Sequence, residues 1–199
     1  GDPQRRAKAI RQISDLFLQG AGHFRPEHVN LFDGILTGLV SETEIGARAE
    51  LAERLATIPN APPTLVNRLV RADEVAIAGP LLRYSPVIDE PTLIDIARAK
   101  GQGHLLAISG RPSLSTDLTD VIVNRGDREV IRSVAGNAGA LFSSSGYTGL
   151  LKRAGDDGIL ALTVGQREDI SPALLERLLA SSVDVVRRRL FEAANHARK

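Results

Sequence analysis

The stretch His104-Leu105-Leu106-Ala107-Ile108-Ser109-Gly110-Arg111-Pro112-Ser113-Leu114-Ser115, closely followed by Leu118, decides how the chain is read. Leu105 and Ile108 sit one helical turn apart. Gly110 and Pro112 then interrupt the helix, because proline cannot continue it and the residue before proline avoids helical dihedral angles. Leu118 then opens a second helix. The segment is therefore the end of one short helix, a breaker and the start of another.

The same order recurs on both sides. Breaker segments occupy residues 59–65, 86–93, 112–118, 138–150 and 168–174, each ending on a leucine that opens a second helix. Within them an apolar residue returns as Ala61, Ile88, Leu114, Leu141 and Ile170, at steps of 27, 26, 27 and 29. First helices open at Ile45, Val75, Leu105, Val130, Ile159 and Val185, at steps of 30, 30, 25, 29 and 26. The turns between units are acidic or glycine-rich: Ala72-Asp73-Glu74, Gly101-Gln102-Gly103, Gly126-Asp127 and Gly155-Asp156-Asp157-Gly158. Glycine stops a helix, and aspartate caps the next N-terminus.

A period near 27 holds two helices, each about 15–18 Å long at a rise of about 1.5 Å per residue. Such a hairpin cannot bury its apolar face alone, so neighbours must stack. The expected fold is all-α: an α-solenoid of short HEAT-like helical hairpin repeats in a right-handed superhelical stack. It forms one domain over 1–199, with an N-terminal helical pair as cap at 1–43, repeats over 44–181 and a capping helix at 182–199. In the cap, Gly20-Ala21-Gly22 ends the first helix and Pro26 opens the second. Ser41 and Glu44 have the spacing of a capping box. The fourth unit departs from the pattern: from Gly139 to Gly149 its inner turn is longer and richer in glycine and serine.

Composition narrows the chemistry. The 199 residues contain no Cys, which excludes disulfides, thiolate nucleophiles and Cys-ligated metal sites. No apolar run approaches the roughly 18 residues that span a bilayer, and no signal-peptide pattern is present. A cytoplasmic setting without membrane contact is expected. The chain begins Gly1-Asp2 in place of an initiator Met, which reads as a trimmed start of a longer protein. Lys plus Arg number 25 against 24 Asp plus Glu, a net charge of +1, far below the surplus usual in duplex-binding domains. The basic excess gathers at the end, where Arg187, Arg188 and Arg189 form a candidate basic patch with Arg198 and Lys199 beyond.

Several segments together carry a resemblance. They are the N-terminal helix pair; Ala47-Arg48-Ala49-Glu50-Leu51-Ala52-Glu53-Arg54-Leu55-Ala56 ahead of Ala61-Pro62-Pro63; the stretch from His104 to Ser115; Asn137-Ala138-Gly139-Ala140-Leu141; and Arg167-Glu168-Asp169-Ile170-Ser171. In this order they resemble domain of unknown function family 2336, found mainly in alphaproteobacteria. The resemblance implies helical repeats in a bacterial cytoplasm. It transfers no catalytic residue, because the family has no established activity.

Candidate chemistry is sparse. His23 and His28 are five apart with Pro26 between them, unlike zinc ligands at i, i+4, and His104 and His196 stand alone; solvation or helix capping accounts for each. Ser143-Ser144-Ser145-Gly146-Tyr147-Thr148-Gly149 lacks the lysine that follows directly in a phosphate-binding loop, and is read as a turn capping the Leu150 helix. The acidic pairs Asp73 with Glu74, Asp89 with Glu90 and Asp156 with Asp157 lie at helix starts, where the macrodipole favours them. No catalytic residue, cofactor site or metal site is assigned.

A polar column, Ser85, Arg111, Asn137 and Arg167, ends successive first helices and is placed to satisfy the last free carbonyls of its own helix or of the neighbouring unit; a recognition ladder is the alternative. On the second helices, Asn67, Arg68, Asp95, Asp120, Lys152, Arg153, Glu176 and Arg177 form the candidate partner-binding surface. Their mixed charge suits a protein or peptide more than a phosphate backbone. Gly34 and Gly38 each weaken their helix by about 1 kcal/mol relative to Ala, and a close intramolecular helix is expected to offset this, with a dimer contact as the alternative.

The functional expectation is a non-catalytic protein-interaction module or scaffold, regulatory in role, with an unidentified protein or peptide as partner. Nucleic-acid binding through the basic C-terminal helix is the alternative, and an enzyme of unknown class the third reading.

Overall fold

The computed structural model describes the backbone of residues 2–196, with side chains described through Val186 and at Arg188 and Glu192. Among these residues are twelve α-helices and one turn of 3-10 helix, Ala21–His23. The helices are α1 (Pro3–Gly20), α2 (Pro26–Val40), α3 (Ile45–Leu55), α4 (Pro63–Val70), α5 (Val75–Tyr84), α6 (Glu90–Ala99), α7 (Gln102–Ser109), α8 (Thr116–Arg125), α9 (Arg128–Gly136), α10 (Ser144–Ala154), α11 (Gly158–Gly165) and α12 (Pro172–His196). The protein is all-α.

Local chemistry sets the starts. Asp89, Ser115, Asp127, Ser143 and Asp157 each cap their helix by accepting a backbone N–H from the third residue onward. This satisfies a donor that has no partner inside the helix. The expected capping box at Ser41 does not form: its hydroxyl donates to the Thr37 carbonyl, 3.3 Å away, and Glu44 takes the N-cap position without a side-chain bond. Helix α4 begins after Pro62, which has no capping side chain. Buried Asp33 on α2 substitutes for one, accepting from the backbone N–H groups of Thr64 and Leu65 at 3.0 and 2.8 Å.

The chain divides into two compact units, Gly1–Arg111 and Pro112–Lys199. In the first, α1 packs on α3, α3 on α5 and α5 on α7, while α2 packs on α4. In the second, α8 packs on α10, α10 on α12 and α9 on α11. Within each unit most helices therefore contact the next but one, as in a stacked helical array. The first unit opens on an aromatic cluster, with the Phe17, Phe24 and Phe32 rings 5.2–5.7 Å apart. The second closes around Val123, Ile131, Tyr147, Leu150, Leu160 and Leu178.

Of the six expected first-helix entries Leu105 and Val130 are buried, but the other four differ. Ile45, Val75 and Ile159 are exposed at helix starts, and Val185 lies inside α12 rather than opening a new helix. The expected boundary at 181/182 falls within that same helix. The buried first-helix position lies nearer the helix end: Leu55, Leu81, Ile108, Val134 and Val164, all wholly buried, at steps of 26, 27, 26 and 30. Burial needs a neighbour on every side, and a helix's first residue lacks one. Second-helix leucines Leu65, Leu93, Leu118 and Leu150 are buried, and Leu174 is partly so.

Leu141 is 58% exposed, whereas Ala140 is fully buried. Here Leu114 and Ala140 form an isolated parallel bridge, and successive side chains of extended backbone point to opposite sides. The alanine faces inward, and Gly139 admits the close approach, since a Cβ there would overlap the Pro112 carbonyl. The anticipated long turn of the fourth unit also shortens, because α10 already begins at Ser144. Gly34 and Gly38 are exposed, and an added Cβ would meet nothing within 4 Å. Among the described residues no helix packs close enough to offset their cost, contrary to expectation.

Candidate functional site

The second-helix surface of the second unit contains an open cleft of about 580 Å³ between α8 and α10. Its floor is narrow because the helices nearly touch. A Cβ on Gly149 would stand 2.6 Å from Val123 Cγ1, and one on Gly146 would stand 3.1 Å from Asp120 Oδ1. Glycine is required at Gly149 by this approach. Thus the Gly-rich end of the serine stretch, read as a turn, is helical backbone paving a cleft.

Three of the eight candidate surface residues meet here: Asp120, Lys152 and Arg153. Asp120 accepts from the Ser143 hydroxyl at 2.5 Å, and Ser143 Oγ accepts from the Gly146 N–H at 3.0 Å. The acid on α8 therefore holds the cap of α10. Arg153 donates to the carbonyls of Gly126 and Val123 at 2.5 and 2.8 Å, closing the C-terminus of α8. Lys152 is exposed and makes no hydrogen bond or ion pair among the described residues. Exposed Asp156, also lining the cleft and four residues further on, uses its side chain in none either. The cleft therefore presents one available cation and one available anion.

The other candidates lie elsewhere. Arg68 donates to the Thr37 carbonyl and to Ser41 Oγ at 3.2 and 2.6 Å, and Asn67 accepts from Arg71 at 2.9 Å, both in the first unit. Asp95 is exposed on α6, and Glu176 and Arg177 are exposed on α12. In the basic stretch Arg188 is exposed; the side chains of Arg187 and Arg189 lie outside the described residues, as do those of His196, Arg198 and Lys199.

Two members of the polar column, Arg111 and Arg167, cap the first helix of the neighbouring hairpin, whereas Ser85 Oγ and Asn137 Oδ1 accept from the N–H groups of Val87 and Gly139 at 3.4 and 2.9 Å. Arg111 donates to the Leu82 and Ser85 carbonyls at 2.7 and 2.8 Å, capping α5. Arg167 donates to the carbonyls of Ala135, Asn137 and Ala140 at 2.7–2.9 Å, capping α9. It also pairs with Asp169 at 2.8 and 3.0 Å, meets the Tyr147 hydroxyl at 3.1 Å and lies 4.7 Å from the Phe142 ring. Tyr147 in turn donates to Asp169 at 2.6 Å. Burial pushes the Asp169 carboxyl up, but the bonds from Arg167 and Tyr147 outweigh it and hold it below the usual range. Burial, then donation to Asp169, raises the Tyr147 phenol. Nearby, Asp157 is buried and bidentate with Arg132 at 2.8 Å, which lowers its carboxyl pKa against a desolvation cost. Sequence reasoning found the column but not the Tyr147–Asp169 partnership; the closely spaced Arg167 and Asp169 were its only signal.

Of the histidines, His28 Nδ1 accepts from the Arg25 N–H at 3.2 Å, capping α2. Buried His104 lies 2.8 Å through Nε2 from the Ala72 carbonyl. No group of three or more metal-ligating side chains converges among the described residues. No helix among them is long and apolar enough to cross a membrane.

A helical array with an open cleft on one helix layer is the class of protein this geometry defines. Residues 77–199 match the family described as an uncharacterised protein conserved in bacteria, DUF2336. The chain belongs to that family, as the segments from His104 onward anticipated; the N-terminal helix pair and residues 47–63 lie outside the match. No curated protein and no solved structure matches it.

Proposed function

We propose that the protein is a non-catalytic interaction module of the bacterial cytoplasm, regulatory in role, whose α8–α10 cleft binds a segment of a partner protein. In this reading each unit is a run of HEAT-like hairpins in a right-handed α-solenoid, and the even-numbered helices carry the binding layer. The observation that carries it is the glycine-floored cleft with Lys152 and Asp156 both available at its edge. A peptide offers both signs of charge, whereas a phosphate backbone offers one. The arginines Arg68, Arg111, Arg153 and Arg167 are committed to backbone carbonyls, which weakens the nucleic-acid alternative.

The test compares capture from the native bacterium by the wild type and by the Lys152→Glu/Asp156→Lys double variant, read by mass spectrometry. The expected result is a partner present with the wild type and depleted at least tenfold with the variant. A partner retained equally by both, or none above background, overturns the reading. Binding of DNA or RNA at low salt that vanishes as salt rises would replace it with the alternative.

A further inference from the structure

The odd-numbered helices of the first unit enclose a second opening that the α8–α10 cleft does not explain. It is a groove of about 500 Å³ lying across α3, α5 and α7. Its floor is apolar and partly bare backbone: Val75, Gly79, Pro80, Gly103 and Leu106. The bareness has a packing cause. A Cβ on Gly103 would stand 2.6 Å from Val75 Cγ2, and one on Gly79 3.3 Å from Val75 Cγ1. These glycines let α5 and α7 close around Val75, and they leave a depression where side chains would otherwise project.

The rim is charged with opposite signs. Glu53 on α3 and Arg83 on α5 are both exposed, and neither side chain makes an ion pair or hydrogen bond among the described residues. Arg83 lies 5.4 Å from the ring of Tyr84, which is 53% exposed beside the groove. The chain has two tyrosines, so half of them stand in solvent here. Tyrosine and arginine are the residue types that dominate binding energy at protein interfaces.

We propose that this groove binds an amphipathic α-helix of a partner protein, with an apolar side chain seated against Val75, Pro80 and Leu106, an acid against Arg83 and a base against Glu53. A helix fits because the walls are themselves helices: their backbone groups are bonded internally, so an extended strand finds no sheet edge to join. A helix brings its own backbone bonds and presents only side chains. The volume lies in the range of small-ligand pockets, but the paired opposite charges select an occupant that carries both. The site lies in the first unit, so it stands or falls separately from the α8–α10 cleft.

The test uses two fluorescein-labelled helical peptides of about 18 residues, long enough to hold helix in water. Both carry two leucines one turn apart. One places glutamate before the pair and lysine after it, and the other exchanges the two. Fluorescence anisotropy on the full chain should show one peptide binding about tenfold tighter than the other. Glu53→Lys/Arg83→Glu should invert that preference, and Tyr84→Ala should weaken the better peptide about tenfold. Lys152→Glu/Asp156→Lys should change neither. All these positions are exposed, and circular dichroism verifies that each variant folds. Three results overturn the proposal: no binding below about 1 mM, equal binding of both peptides, or a preference that survives the charge exchange. Equal binding by a proline-interrupted version of the better peptide overturns the helical occupant.

Discussion

Arg111 in the first unit and Arg167 in the second occupy the same place in the repeat, yet their surroundings push their pKa values in opposite directions. Arg111 caps α5 through two carbonyls, and burial lowers its pKa. Arg167 is also depressed by burial, but Asp169 and Tyr147 overcome this and raise it. The contrast extends beyond these residues. The ion pairs of the first unit, Arg6–Glu42, Arg11–Glu50, Arg54–Asp15 and Lys100–Asp73, each have at least one side chain largely in water. The second unit places Asp157 and Arg167 almost out of solvent, each side chain 6% exposed. Exposed pairs add little stability, whereas breaking a buried pair strands a charge. Ion pairing in the first unit is largely a surface feature, with Asp33 and Arg111 acting on backbone groups instead, whereas the second unit buries one member of each close pair.

The sharpest attempt to break that contrast is Arg167→Ala. It removes the partner of three carbonyls and leaves Asp169 with Tyr147 alone, and should cost about 3–5 kcal/mol in urea unfolding. Arg111→Ala should cost less, about 1.5–3 kcal/mol. Equal losses would show that Asp169 and Tyr147 add nothing. Leu118→Ala, in a buried second-helix position, should cost about 2–5 kcal/mol, against less than about 0.5 kcal/mol for exposed Leu141→Ala. Reversed values would restore the register read from the sequence.

Asp157→Ala removes the α11 cap and should cost about 0.5–2 kcal/mol. Its pH dependence has a definite sign. Asp157 and Asp169 have folded pKa values below the ordinary carboxylate value of about 3.9. Their contribution is complete above that value and is lost as pH falls through the lowered one. Acid titration of Asp157→Ala should therefore be flatter than that of the wild type below about pH 4. The smallest effect belongs to Arg11→Ala, which should leave the unfolding midpoint unchanged. High salt should likewise spare the second unit's pairs, since screening acts on exposed charges first. A salt-sensitive second unit would erase the distinction.

The helices, their approximate period and the capping roles of Asp89, Asp127 and Asp157 were legible in the sequence, because apolar spacing and cap chemistry are local. Register was less so. Nothing local distinguishes Leu141 from Ala140 as the inward residue; the bridge to Leu114, 26 positions away, decides it. Asp33 capping α4 was equally hidden, since the cap comes from another helix. At the candidate cleft, the second-helix positions pointed to Asp120, Lys152 and Arg153. They could not show that two of the three already serve the fold, or that Gly149 lies beneath them. The glycines behave alike: Gly103, Gly139 and Gly149 are explained by close approach, while Gly34 and Gly38 have no neighbour the sequence could have named.

The placement of the two tyrosines has a spectroscopic consequence. With no tryptophan in the chain, ultraviolet-excited emission comes from Tyr84 and Tyr147 alone, one in each unit. Tyr147 donates to a carboxylate, an arrangement that quenches phenol emission, so it should brighten when the second unit opens. Tyr84 stands beside the odd-helix groove and should respond to whatever fills it. Phenylalanine at either position would leave a single emitter, so each unit could be followed optically without an added label.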